Sequence, residues 1–278
     1  MSNKDVFVKI FKDLDDAKTY SPRNLKVKEI VNYNFTIENP YDRIMNFEGR
    51  NINLKYIIAE LCWYLRGELK LDGIDNYSKF WLNVCGKKGQ LNSNYGHYIF
   101  KEKQLFNNVI DRLKKDMFSR QAVIIINRLS VIMNNDTKDQ ICTTSLQFLI
   151  RDNKLHMIVN MRSNDLIFGL GNDLPFFTIL QELVLEILKK YYPSLYMGNY
   201  YHNDGSLHIY ERHFQMVKDV IKNDKYDSIA FPKINGYKEA MYIINNLGSI
   251  EQKIRQGKDI KCDDEFKFTR QCIMILKT

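Results

Sequence analysis

The chain is short of the features that build a membrane span, a disulfide frame or a flexible tether. No apolar run approaches the roughly 18 residues that a spanning helix needs. The opening MSNKDVFVKIFKDLDD mixes charges of both signs and lacks a signal peptide's apolar middle, so a cytoplasmic protein is expected. Cysteines occur only at 62, 85, 142, 262 and 272, an odd number with no C-x-x-C pair. That argues against a disulfide framework and a structural zinc site, and no metal is expected. No repeat, low-complexity tract or Pro/Gly-rich linker divides the sequence, which predicts a single domain over residues 1–278. Neither G-x-G-x-x-G nor a P-loop is present.

What remains is a globular composition. Of 278 residues, 45% are hydrophobic, 27% charged and 13% aromatic, enough apolar material for a large core and too much for disorder. The formal charge of +8 invites a nucleic-acid or phosphate ligand. The lysines are spread rather than clustered, so a solvated basic surface explains the surplus equally well.

Residues 26–37 alternate β-branched and polar residues as a strand would. Residues 52–66 place Ile57, Ile58, Leu61 and Leu65 at helical spacing, with Gly67 as the stop. A second amphipathic helix fits 104–115, a short strand 122–126, and a hairpin 146–161 around Asp152-Asn153-Lys154. A long helix is expected over 175–192, with Asp173 near its amino end. Residues 196–201 read as a strand, Ser206 as the cap of a helix starting near His208, and 266–276 as a final strand. Helices and strands mix without βαβ alternation, so the expected class is α+β.

Chemistry-bearing residues concentrate between Cys142 and Tyr210, in C-T-T-S-L-Q-F, M-R-S-N-D, G-L-G-N-D and H-N-D-G-S-L-H-I-Y. Cys62 and Cys272 lie in apolar runs and read as core, whereas Cys142 sits where a polar loop meets a strand, and a thiol there can be reactive. Taken singly, each residue also has a plain structural explanation. Arg162 could be a salt-bridging surface residue, and His202, His208 and His213 lack the companions of a metal site.

In order along the chain stand Glu60-Leu61-Cys62-Trp63-Tyr64-Leu65-Arg66-Gly67, Gly89-Gln90-Leu91 with Tyr95-Gly96, Ser119-Arg120, Cys142 with Gln147-Phe148, Arg162-Ser163-Asn164-Asp165 and His208-Ile209-Tyr210. Six blocks in this order resemble thymidylate synthase and its relatives the deoxycytidylate hydroxymethylases. The resemblance is strongest over residues 20–215, with 216–278 divergent. It implies a thymidylate synthase-like mixed sheet packed with helices and a sheet-mediated homodimer. It also implies a pyrimidine nucleotide substrate and 5,10-methylenetetrahydrofolate as cosubstrate.

By the same resemblance Cys142 is the nucleophile that attacks ring carbon 6, and Glu60 organises water and relays protons. Tyr95 stands beside the carbon 5 proton. Arg23 and Arg162 serve the phosphate, with Arg120 lent by the partner subunit, and Ser163 is a further substrate-binding residue. Gln147, Asp165, His208 and Tyr210 complete the nucleotide contacts, and Trp81, Asp165, Gly169 and Leu170 form the folate-facing wall. A cationic setting around Cys142 is expected to favour its thiolate.

The departures from the synthase pattern are informative. The synthases' G-L-P-F-N is here Gly169-Leu170-Gly171-Asn172-Asp173, placing Asp173 where an Asn reads uracil. A carboxylate accepts from the amino group and protonated ring nitrogen of cytosine, which an ionised acid cannot do for uracil's carbonyl. Thr143 replaces the His of P-C-H, Gln121 replaces the second Arg of S-R-R, and the ending CIMILKT lacks the synthases' closing tail. Less complete exclusion of water harms a hydride transfer more than a hydration. The resemblance, with these departures, therefore implies a dCMP 5-hydroxymethyltransferase. The alternatives are a thymidylate synthase, a dUMP or CMP hydroxymethylase, or an idle nucleic-acid-binding relative.

Overall fold

In the computed structural model, which describes residues 1–101 and 104–278, the chain runs α1 (Asn3–Asp15), β1 (Thr19–Tyr20), β2 (Val27–Ile37), α2 (Leu54–Arg66), α3 (Phe80–Val84), α4 (Gln104–Lys115), β3 (Val123–Ile125), α5 (Leu129–Ile132), β4 (Thr143–Arg151), β5 (Lys154–Met161), β6 (Asn164–Asp165), α6 (Leu170–Leu188), β7 (Tyr196–Tyr210), α7 (Phe214–Asn223), α8 (Gly236–Tyr242), α9 (Gly248–Arg255) and α10 (Lys267–Lys277). The described strands form one mixed sheet in the order β1-β2-β7-β5-β4-β3, with β6 beside β7. Its pairings are antiparallel except those of β7 with β5 and β6. This is the expected α+β arrangement. No helix among the described residues is long and apolar enough to cross a membrane.

The strongest periodicities produce the expected elements. Helix α2 ends at Gly67, which takes φ 63°, a left-handed conformation that a Cβ would penalise. The β4–β5 hairpin turns on Asp152 and Asn153, both with positive φ, the side chains that tolerate it best after glycine. Helix α6 is buried along almost its whole length, so apolar residues surround it rather than forming one stripe.

Three expectations are corrected. Helix α6 starts at Leu170, not Pro175, and the proline sits inside it. The helix forgoes the one ladder bond a proline cannot donate, and Asp173 becomes a first-turn helical residue. Ser206 caps no helix, because β7 continues through it to Tyr210. The Asn-Asp-Gly-Ser stretch is turn-like in isolation, yet β2 on one side and β5 and β6 on the other satisfy its backbone. Ser206 instead donates its hydroxyl to Glu29. Residues 266–276 are mostly helix α10 rather than a strand. Their buried set, Phe268, Thr269, Cys272, Ile273 and Leu276, has helical spacing and packs on α2 and α9.

Candidate active site

Cys142 immediately precedes β4, at the edge of the polar loop that the sequence marks. A bulge between Thr143 and Ser145 shifts the register there. One extra residue resets the alternation, so Cys142 and Gln147 share a strand face although five positions apart. Arg162, at the end of the paired β5, donates from Nε to the Ile141 carbonyl and from a terminal nitrogen to that of Gln140, both at 2.9 Å. The same terminal nitrogen lies 3.5 Å from Cys142 Sγ.

The charges around the thiol oppose one another. Burial pushes the Cys142 thiol up, with Asp173 and Asp139 adding to the effect, while Arg162 and Arg23 pull it down. Arg162 therefore acts in the direction expected from sequence, but burial outweighs it, and the free protein holds a thiol there. Arg23 is exposed in a turn with φ 52°.

A second cluster lies in the interior. Glu60, on α2, is 5% exposed and pushed up to about 7 by burial, against hydrogen bonds from Tyr56 and Tyr64 that favour its carboxylate. Tyr56 donates to Glu60 Oε1 at 2.7 Å and accepts from Trp81 Nε1 at 3.0 Å. Tyr64 stacks on Tyr95, ring centroids 5.3 Å apart and 11° from parallel. Asp173 reaches this cluster from α6. Burial first, then Glu60 and Asp204, drive it well above the usual carboxylate range. Its surroundings thus favour the neutral acid, beside a carboxyl group pushed up to about 7.

Neighbouring contacts hold the parts in register. Asp139 accepts from the backbone N–H of Asn92 at 2.6 Å and of Ser93 at 2.9 Å, and from the Ser93 hydroxyl. This braces the Cys142 loop against the segment carrying Tyr95. Asn94 Nδ2 donates to the carbonyls of Trp63 at 3.0 Å and Glu68 at 3.1 Å. The close approach leaves no room for a side chain at 96, where a Cβ would stand 1.6 Å from the Tyr64 carbonyl oxygen. Gly96→Ala is therefore expected to destabilise the protein by about 3 kcal/mol or more. A thermal melt checks this, and an unchanged midpoint contradicts the packing.

The remaining expected residues fall into four places. His208 and Tyr210 lie on β7, rings edge to face at 5.2 Å, with His208 in register with Asp165. Asp165, Gly169 and Leu170 form the turn into α6; Asp165 Oδ2 accepts from Phe168 N at 2.9 Å while its Oδ1 is buried without a partner. Ser163 is half-buried beside Arg162. Arg120 is exposed before β3, and its carbonyl accepts from Gln147 Nε2 at 2.9 Å. The structure thus links Cys142, Arg162, Arg23 and Asp173, and links Asp173 to Glu60. Arg120 stands apart from them at the surface.

Sequence reasoning passed over Tyr56, Tyr64, Asp139, Arg50 and Asp204. Arg50 is buried, donating to the carbonyls of Met45 at 2.6 Å and Ile167 at 2.9 Å. His202 belongs to a buried chain, with Nδ1 2.6 Å from the Tyr200 hydroxyl and Nε2 3.1 Å from Asp204. For Tyr56 a signal did exist: it precedes Glu60 by four residues on one helix, the spacing at which side chains meet. No group of three or more His, Cys, Asp or Glu suited to a metal occurs among the described residues.

The family model described as thymidylate synthase matches residues 13–250, beyond the 20–215 where the resemblance is plainest in sequence. A deoxycytidylate 5-hydroxymethyltransferase of Enterobacteria phage T4 is 35% identical over 201 residues, 69% of this chain and 79% of that protein. A deoxyuridylate hydroxymethyltransferase of Bacillus phage SP01 is 31% identical over 212 residues, 71% of this chain and 54% of that protein. Among solved structures, thermostable thymidylate synthase A from Bacillus subtilis superposes with a TM-score of 0.66 at 17% identity. It covers 82% of this chain and 87% of that one, a likeness of fold.

Proposed function

The chain belongs to the thymidylate synthase family, and on that premise we propose that it is a folate-dependent pyrimidine nucleotide C5-hydroxymethyltransferase. It converts dCMP, methylenetetrahydrofolate and water to 5-hydroxymethyl-dCMP and tetrahydrofolate. The observation that carries this reading is the buried Asp173, whose carboxyl group burial holds above the ordinary range, within electrostatic reach of both Cys142 and Glu60.

A neutral carboxylic acid donates its O–H to cytosine N3 and accepts from the 4-amino group. After the proton moves to N3, the carboxylate accepts from both N–H groups. Charge therefore moves along one hydrogen bond while the heavy atoms keep their places. Protonation of N3 makes carbon 6 electrophilic, and Cys142 adds there as a thiolate, with the Arg162 guanidinium beside it. Arg23, Arg162 and Ser163 receive the phosphate, Gln147 completes the nucleotide contacts, and His208 and Tyr210 hold the sugar. Tyr95 faces the carbon 5 proton. Glu60, balanced between acid and carboxylate near neutrality, suits a relay that both gives and takes protons.

The turn around Asp165 fits the folate. Its buried Oδ1 has no partner and can accept from the N–H groups of a pterin, with Gly169 and Leu170 adjacent. Trp81 supplies an aromatic wall. Bound there, methylenetetrahydrofolate supplies the one-carbon unit, and water ordered by Glu60 completes the hydroxymethyl group. We also assign the active form as a homodimer in which the exposed Arg120 reaches the partner's phosphate site. A fully active species sedimenting as one chain overturns that assignment.

The test is to supply purified protein with methylenetetrahydrofolate and either dCMP or dUMP, measuring tritium release from carbon 5 and product mass. A dCMP product heavier by one CH2O is expected. A methylated product, or turnover of dUMP alone, overturns the reading. A dUMP hydroxymethyltransferase is the second reading, because a neutral Asp173 also matches uracil, donating to O4 and accepting from N3–H.

A further inference from the structure

Some tyrosine hydroxyls in this molecule go to backbone carbonyls, as Tyr98 does to Asn92 at 3.0 Å and Tyr192 to Leu113 at 3.0 Å, and others to acidic side chains, as Tyr77 does to Glu251 at 2.8 Å. Tyr56 bridges two side chains. Its backbone N–H is anchored to Asn53 Oδ1 at 2.9 Å, so its ring leaves the first turn of α2 in a fixed direction. Its hydroxyl then donates to Glu60 Oε1 at 2.7 Å and receives the Trp81 indole N–H at 3.0 Å. Trp81 is held in turn by Trp63, ring centroids 4.9 Å apart, and Trp63 Nε1 donates to the Lys70 carbonyl at 3.0 Å. Every link from Lys70 to Glu60 is a packed or hydrogen-bonded contact.

We propose that Tyr56 is a positioning residue, whose hydroxyl aims the Glu60 carboxyl group and ties its orientation to that of Trp81. This deepens the proposed function and rests on its assignment of Glu60 and Trp81. A ring at 56 alone would fill the space. The hydroxyl adds a donor that fixes one Glu60 oxygen, and an acceptor that Trp81 cannot use without lying in the observed plane. A shift of the Trp81 indole when the cosubstrate stacks on it is thereby transmitted, through a single oxygen atom, to the group that orders water.

The titratable groups facing Glu60 among the described residues are Tyr56 and Tyr64 from its own helix and Asp173 from α6. The phenol of Tyr56 is itself pushed well up by burial and by Glu60, so at neutral pH it can only donate to the carboxylate. That donation opposes the burial that raises Glu60. Removing it must raise the midpoint of Glu60 further.

Tyr56→Phe keeps the ring and deletes the oxygen. Titration of the Glu60 carboxyl carbon by NMR is expected to show its midpoint higher by about one to two pH units. The ascending limb of kcat with saturating dCMP should move by the same amount, and the KM for methylenetetrahydrofolate should rise as Trp81 loses its acceptor. An unmoved midpoint, or a loss of rate equal at every pH, overturns the proposal. If Tyr56→Phe does not fold, fluorotyrosine at 56, a stronger donor of the same shape, should move the midpoint the other way, and no movement overturns the proposal. Glu60→Gln separates the two levels of inference. If it leaves the kcat limb intact, the assignment of Glu60 fails. If it abolishes the limb while Tyr56→Phe leaves the NMR midpoint in place, only the role of Tyr56 fails.

Discussion

Replacing Cys142 with serine is expected to lower turnover of dCMP at least about a thousandfold while leaving nucleotide binding nearly intact. Serine nearly matches the thiol in size, and Arg162 keeps both of its carbonyl partners at 2.9 Å, so the loop does not depend on the sulfur. What disappears is a polarizable nucleophile able to add to an aromatic ring carbon. The thiol is held protonated by burial in the free protein, which makes its activation an event of substrate binding rather than a resting property. Calorimetry with dCMP beside a tritium-release assay checks both halves. Turnover within tenfold of the parent removes Cys142 from the nucleophile's role.

The second large effect is on base choice. Asp173→Asn should lower kcat/KM for dCMP and raise it for dUMP, changing their ratio by at least about a thousandfold. The amide carbonyl meets uracil N3–H and its N–H meets O4, whereas toward cytosine the amide can hydrogen-bond N3 but cannot transfer a proton to it. The parent protein should also show a signature in pH. Asp173 matches uracil only as the neutral acid, so any turnover of dUMP must fall as pH rises through its elevated titration. Toward cytosine the ionised form retains one acceptor for the amino group, and the decline should be shallower. In the Asp173→Asn variant the limb belonging to residue 173 should vanish for dUMP. Profiles of kcat/KM for both nucleotides, run on both proteins, decide the matter. Equal preference before and after the exchange rules out Asp173 as the base reader.

Much of this architecture is legible in the sequence where one local signal dominates. Helix α2 has its periodicity and its terminal glycine, and the β4–β5 hairpin has two residues suited to positive φ. The misreadings occur where tertiary contacts override local chemistry. Ser206 lies in a stretch with every mark of a turn, but it is flanked by strands on both sides. The apolar run near Cys272 is rich in residues that favour strands, and only packing on α2 and α9 makes its helical stripe the one that is buried. The candidate site divides in the same way. Cys142 stands out by its place where a polar loop meets a strand, and Glu60 and Asp173 through the motifs that carry the family resemblance. Asp139 does not, because its role comes from partners distant in sequence, such as Ser93, 46 residues away.

That last contact bears on how this protein can change over time. The brace at Asp139 lies between the exposed tip at residues 134–136 and Cys142. Residues added or lost at the tip fall on the solvent side of the brace. The stretch from Asp139 to Cys142, and its anchorage to the segment of Tyr95, keep their lengths. Descendants of this chain are free to vary that loop, for a new surface contact or for none, without altering the distance between the nucleophile and the tyrosine opposite it.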